Sequence, residues 1–473
     1  MSAPLIWIGL PLLAALALIA LHPRRKPVHL AGFLIALGLA LLAARLPVGQ
    51  IIALRLWVGF PTLVVRETAV VLGARLTIGA ALQPVIALIY AAAAFWFGGA
   101  YAARTGALFV PIGLGFCALI SLALAISPAL YAPLILLLAA LSLLPVFSPP
   151  GQPIQRGVRR FLAYQTLGSG LVVLAHWIIL TASLQPELEL DLRPPVLLLV
   201  LGIGLILPIF PFHTWIPMLS EASEPYSAAF FMFLLPAANA WLALETWTQL
   251  GVAPGEFEIF AFLRLAAALM ILLAGVSAAF ERSLRRLLGF GLLFQVGMLL
   301  LALSLYPAQP ASSIQRFVSL FIAWGAGLAL WSLCLNLLIA SAPQASLTDL
   351  RGLAARQPLL AAGLLAGVLS AAGLPLLAGF PVYLGLLAGL ADQSPPLTWL
   401  VGVGIAALLA TGARLLAQTA PAEPGSSWRL TENRVQTALI AAGLLLILAL
   451  GLFPDLILRH WAGLAALGNA PFP

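Results

Sequence analysis

Fourteen apolar runs follow one another along this chain, each long enough to cross about 30 Å of hydrocarbon as a helix. They lie at roughly 3–21, 28–45, 81–102, 107–126, 128–147, 161–183, 195–212, 228–249, 259–279, 287–305, 317–341, 358–391, 397–418 and 435–456. Of the 473 residues, 63% are hydrophobic and only 8% charged, so the polar side chains are too few to build a water-facing surface. The expected fold class is therefore an all-α polytopic membrane protein with about 14 transmembrane helices.

The formal charge of +8 invites a nucleic-acid partner, but the basic residues are scattered over short loops. Loop charge is better explained by the rule that cytoplasmic loops collect Lys and Arg. Taking alternate loops as cytoplasmic places 14 of the 23 basic residues on one side, which puts both termini on the other and the chain in the cell inner (plasma) membrane. The first run is followed, not preceded, by Arg24, Arg25 and Lys26 and lacks a small-residue cleavage pattern, so it is expected to stay as an anchor. Cys117 and Cys334 sit in apolar runs without ligand spacing and read as packing residues. No cofactor or metal motif is visible. Gly202 and Gly204 lie inside an apolar run and are packing features.

Two regions depart from simple spans. The 46–80 segment alternates in places, is rich in Val, Leu and Thr, and is interrupted at Gly59–Phe60–Pro61, which predicts a small extramembrane β-hairpin. The run 358–391 is too long for one crossing and carries Gly373, Pro375, Gly379 and Pro381 in its middle, while 195–212 contains Pro208 and ends on Pro211. Both are expected to be discontinuous helices, the device by which transporters expose backbone to buried water or ions.

The segment PFHTWIPMLSEASEPYSA, from Pro211 to Ala228, carries a family resemblance. Pro211, Phe212, His213, Trp215, Pro217, Glu221, Ala222, Pro225, Ser227 and Ala228 stand in register with P-F-H-S-W-L-P-D-A-x-E-A-P-x-P-V-S-A. That is the signature of the antiporter-like membrane subunits of proton-pumping NADH:quinone oxidoreductase (respiratory complex I), multisubunit cation/proton antiporters and membrane-bound hydrogenases. Met218 replaces an acid of that pattern, and Ser223 and Glu224 depart from it. Further on, ERSLRRLLGFGLLFQVGM resembles D-I-K-R-L-L-A-Y-S-S-I-S-H-M-G, with Arg285 and Arg286 on the Lys-Arg pair and Gln295 on the His. Asp349, Leu350, Gly352, Leu353, Pro358, Ser370, Gly373, Leu374, Pro375, Gly379 and Phe380 match a third motif.

The resemblance implies two inverted five-helix repeats, at about 107–249 and 259–418, each with one interrupted helix. It divides the chain into N-terminal helices with the hairpin (1–80), an antiporter-like core (81–456) and a short tail (457–473). It also implies a line of buried charges: a glutamate on the fifth helix, a lysine on helix 7, a lysine or histidine on helix 8, histidine and lysine on helix 11, and a lysine or glutamate on helix 12. Ionisable groups at membrane depth are costly enough to mark function. Here that line is missing: Ile206 stands at the helix 7 lysine, Pro236 at the helix 8 site and Tyr383 at the helix 12 site, Ala139 takes the place of the glutamate, and the eleventh run offers only Trp324, Trp331 and Asn336.

The remaining candidates for a proton path or coupling are Glu221, His213, Arg285, Arg286, Glu224 and His176, with Pro208, Pro211, Pro375 and Gly379 at the helix breaks. Glu221 is expected to reach Arg285 or Arg286, against the alternative of a solvated loop acid. The arginine pair also reads as a plain topology signal. His213 is expected to brace the break and Trp215 to anchor at the interface, while His176 reads as a neutral interhelical histidine or a relay.

The expected function is an integral subunit of a complex I-like assembly with its proton-path lysines largely lost, in a structural or coupling role. The alternative is an active proton or cation translocator using Glu221 and water. Expected partners are other membrane subunits and the lipid bilayer, with quinone reached only through those subunits.

Overall fold

The computed structural model describes residues 2–49, 51–52, 63–149, 151–184, 193–249, 259–308, 310–342, 344, 346–420 and 433–455. The Gly59–Phe60–Pro61 interruption and the 457–473 tail lie outside them. Among the described residues, ten helices are long and apolar enough to cross a membrane, and five shorter apolar ones accompany them. The chain divides into two compact units, one of residues 1–101, 106–153 and 162–206, the other of 102–105, 154–161 and 207–473.

The first unit contains α1 (Leu10–Ala20, entered through a π-helical turn at Leu5–Gly9), α2 (Arg25–Arg45), β1 (Ile51–Ile52), β2 (Leu63–Val64), β3 (Thr68–Val71), β4 (Ala74–Thr77), α3 (Gln83–Ala100), α4 (Phe109–Ala125), β5 (Ile126–Ser127), α5 (Ala132–Ser142) and α6 (Leu144–Phe147). It continues with most of α7 (Arg156–Leu184) and with α8 (Arg193–Ile206). Helix α4 packs against α1, α2, α3 and α5.

Polar anchors tie these helices together: Trp7 Nε1 donates to the Leu39 carbonyl at 3.2 Å, and Gln83 Nε2 donates to the Ala43 carbonyl at 2.8 Å. In hydrocarbon an unpaired polar group has no water to turn to, so each such bond also fixes helix register.

The single hairpin expected over 46–80 is instead two ladders. Strand β1 pairs with β2, and β3 pairs with β4 around a Leu72–Gly73 turn that adds β5 as a third strand. Both turn residues have positive φ, +51° at Leu72 and +82° at Gly73, the backbone of a two-residue hairpin turn. The fifth run is one span whose helix is interrupted for a single residue, Leu143, between α5 and α6, ahead of Pro145, which cannot donate a helical hydrogen bond.

The second unit contains α9 (Trp215–Ala222), α10 (Pro225–Gln249), α11 (Ile259–Phe280), α12 (Leu284–Ser304), α13 (Pro310–Ser341), α14 (Leu353–Arg356), α15 (Pro358–Ala371), α16 (Gly379–Ala391), α17 (Pro395–Thr419) and α18 (Arg434–Leu452). The apolar windows of α10, α12 and α13 are 94% buried, those of α17 and α18 only 33% and 17%. The first three therefore make the core, and the last two leave faces for lipid or for other chains.

Helices α11 and α17 approach closely because Gly275 and Gly404 face each other's backbone; a Cβ on Gly404 would sit 2.7 Å from the Ile271 carbonyl oxygen. The Asp349 motif is local scaffolding. Asp349 accepts from the Ser346 N–H at 2.8 Å, closing a capping box, and Gly352 follows with φ +69°.

Candidate functional site

Helix α8 ends at Ile206, and Pro208 and Pro211 follow within five residues. Neither proline has an N–H to extend the helical ladder, so the chain turns at Leu207–Pro211 and resumes as a 3₁₀ turn, Phe212–Thr214, before α9. The terminal Ile206 carbonyl accepts from Gln165 Nε2 of α7 at 3.0 Å. His213 stacks on Phe210, ring centroids 5.7 Å apart. Trp215 is not the interface anchor its position suggested. It is fully buried, 5.3 Å from the Phe161 ring, because α9 turns that face into the core.

The second break lies between α15 and α16. Its four last carbonyls are all accounted for: Val368 accepts from the Ala372 N–H, Leu369 from Leu374, Ser370 from Gly373, and Ala371 from side chains. The crossed pair from Gly373 and Leu374 is a Schellman ending, and it requires Gly373 at φ +76°. Pro375 then leads a turn closed by the Leu377 N–H on the Leu374 carbonyl at 3.2 Å, with Leu376 at φ +75°.

The Ala371 carbonyl receives two donors, Tyr383 Oη at 2.6 Å and Gln295 Nε2 at 3.1 Å, and Gln295 also donates to Tyr383 Oη at 2.7 Å. A Cβ on Gly379 would overlap the Ser370 carbonyl, so only glycine lets α16 start here.

The charged groups gather where α9 meets α12. Glu221 accepts from Arg286 Nη2 at 2.6 Å and from Nε at 3.2 Å, and Arg286 Nη1 lies 3.7 Å from Glu281. The Glu221 and Arg286 side chains are 43% and 42% exposed, whereas that of Glu281 is 15% exposed. Glu281 holds the turn before α12 by accepting from the Arg282 and Ser283 N–H groups, at 2.8 and 2.9 Å. Ser220 Oγ donates to the Arg285 carbonyl at 2.7 Å, and Gly289 gives Pro217 room to approach. Arg160 reaches Thr214 Oγ1 and the Met218 sulfur, both at 3.4 Å, so a thioether meets the guanidinium where the signature carries an acid.

Glu224 points elsewhere. It accepts from Asn336 Nδ2 of α13 at 3.0 Å and from Ser227 Oγ at 2.9 Å, and Asn336 also donates to the Ala103 carbonyl at 2.6 Å. His176 Nδ1 lies 2.9 Å from the Val172 carbonyl one turn back in its own helix. The structure therefore joins Glu221 to Arg286. Glu281 and the Glu224–Asn336 pair were not foreseen. The only signal for the latter was a lone Asn in an apolar run.

This combination, a bundle of long apolar helices interrupted twice with a charged cluster beside one break, is that of an antiporter-like membrane protein. Residues 189–409 match the family model described as NADH:quinone oxidoreductase/Mrp antiporter, TM, and over that stretch the chain is similar to this antiporter-like family. NADH-quinone oxidoreductase subunit 14 of Thermus thermophilus is 32% identical over 271 residues, covering 55% of this chain and 57% of the relative. The chain spans about half the length of the curated relatives it matches.

Solved structures superpose over nearly their whole length. A chain of the Mrp complex from Dietzia sp. matches with TM-score 0.77 at 17% identity, covering 99% of this chain and 98% of that one. A chain of respiratory complex I from Thermus thermophilus matches with TM-score 0.74 at 22% identity, covering 97% and 98%. At these identities the likeness shows the fold alone.

Proposed function

We propose that this chain is an integral membrane subunit of a complex I-like NADH:quinone oxidoreductase or a related respiratory assembly, acting in structure or coupling without a proton path of its own. The carrying observation is the side chains that replace the expected charges: Ile206 and Tyr383 are 2% and 3% exposed, and Pro236 is buried inside α10. None of the three supplies a charge at neutral pH.

In this reading the ten long helices, the shorter Leu5–Ala20 and Phe109–Ala125, and the two interrupted helices counted once each make fourteen crossings. They form an N-terminal part (1–80) and a core (81–456) of two inverted repeats at about 107–249 and 259–418, with the 457–473 tail beyond. Both termini lie outside the cytoplasm, in the inner membrane. Partners are the other membrane subunits and lipid, and quinone is met only through those subunits.

The second reading, a working translocator using water, begins from Glu221 and from the half-buried Glu224, whose contacts with Asn336 and Ser227 lead away from the exposed pair. Arg285, Arg286, His213 and His176 would be its remaining groups. Proteoliposomes holding the assembled complex separate the two readings. Glu221→Gln and Glu224→Gln are expected to leave the ratio of protons moved to electrons transferred unchanged. A fall of a quarter or more in that ratio, with electron transfer intact, would favour translocation through this chain.

A further inference from the structure

Beside the second break lies a cavity of about 10 Å³, lined by Gln295, Trp324, Ser370, Ala371, Gly379 and Tyr383 among others. That is about the least space that holds one water, and a water also needs two to four polar partners. The partners are there. Gln295 Oε1 and Trp324 Nε1 are both buried without a hydrogen-bond partner, on residues 2% and 3% exposed. One is an acceptor and the other a donor, so they are complementary to a single water, which donates and accepts. A water between them answers both.

The Gln295 amide nitrogen is already committed to Ala371 and Tyr383, which fixes its oxygen as the atom left over. A buried acceptor and a buried donor are each destabilising when left without a partner.

We infer that this cavity is a binding site for a single occluded water, accepting from Trp324 Nε1 and donating to Gln295 Oε1, with Ser370 Oγ within the same cavity as its third partner. The inference deepens the reading of this chain as a charge-depleted subunit and rests on it for its meaning. An amide N–H and an indole N–H donate hydrogen bonds without taking up a second proton, so neither passes a proton on. The Tyr383 hydroxyl hydrogen is occupied by Ala371. The water therefore completes a neutral closed network that holds the break shut, where a titratable group would have opened a relay.

The test is imaging of the assembled complex in nanodiscs at a resolution that shows ordered waters. The expected result is one density within hydrogen-bond distance of both Gln295 Oε1 and Trp324 Nε1, lost in Gln295→Met. Trp324→Phe, which removes the donor and keeps an aromatic ring, is expected to lose it as well. A dry cavity in the unmodified complex overturns the inference, and so does a column of density running on to either membrane surface. So does a density that persists in Gln295→Met. If the variants do not assemble, the unmodified map decides alone. Its outcome is independent of the proton ratios above, so a failed water site and a failed functional reading are distinguishable.

Discussion

The two helix breaks solve one problem in two settings. Each leaves a terminal carbonyl in an apolar environment, Ile206 at the first and Ala371 at the second, and each carbonyl receives the amide of a buried glutamine from a neighbouring helix, Gln165 or Gln295. The first break runs on into α9, whose far end carries Glu221, paired at the exposed surface with Arg286 of α12. The second is sealed by Tyr383 and a water-sized cavity. The difference shows that in this chain breaking a helix is separable from charging the break. A lysine can satisfy exposed carbonyls and also carry a proton; a glutamine does the first and not the second.

If that comparison holds, the second break should be the more fragile. Replacing both donors, Gln295→Leu with Tyr383→Phe, leaves the Ala371 carbonyl buried and unpaired. The expected loss is about 3 kcal/mol, the upper end of the cost of such a group. Thermal unfolding of the assembled complex measures it, and a double variant no weaker than either single one would show that the two donors do not share a task.

Gln165→Leu at the first break removes one donor from one carbonyl. Here about 1 kcal/mol is expected, in line with interhelical hydrogen bonds in membranes. A loss equal to that of the double variant would erase the distinction between the breaks.

The positions of the breaks were legible because prolines and glycines act through the backbone, and Pro208, Pro211, Gly373, Pro375 and Gly379 interrupt apolar runs where a helix would otherwise continue. The apolar runs themselves set the helices, since length and hydropathy are nearly sufficient for a span. What closes each break was not legible. Gln165 is one amide in an apolar run and Gln295 stood on the position of a motif histidine, and their partners are main-chain carbonyls 41 and 76 residues away that no side-chain pattern announces.

Tyr383 read as a lost charge at the helix 12 site; its hydroxyl turns out to be the second donor to Ala371. The turn at Leu72–Gly73 was hidden because leucine at positive φ contradicts the ordinary preference, so the 46–80 segment read as one hairpin with its turn at Gly59–Phe60–Pro61. Trp215 was misplaced for a related reason: tryptophan near a loop suggests an interface, and only packing reveals that α9 buries it.

The smallest effect belongs to the most visible feature. Glu221 and Arg286 form an ion pair at 2.6 Å, yet both side chains are more than two-fifths exposed, where water screens the attraction and ordering two long side chains costs entropy. Arg286 is also shared with Glu281, 3.7 Å away, so removing Glu221 does not leave it without a carboxylate. A double-mutant cycle of Glu221→Gln and Arg286→Gln is expected to give a coupling of about 0.5 kcal/mol, within the range for exposed pairs. Raising salt to 1 M, where screening acts within about 3 Å, should halve it or more. A coupling several times larger and insensitive to salt would mean that the pair is covered in the assembled complex. The α9–α12 junction would then be a subunit contact, and the contrast between an open first break and a sealed second one would belong to the isolated chain only.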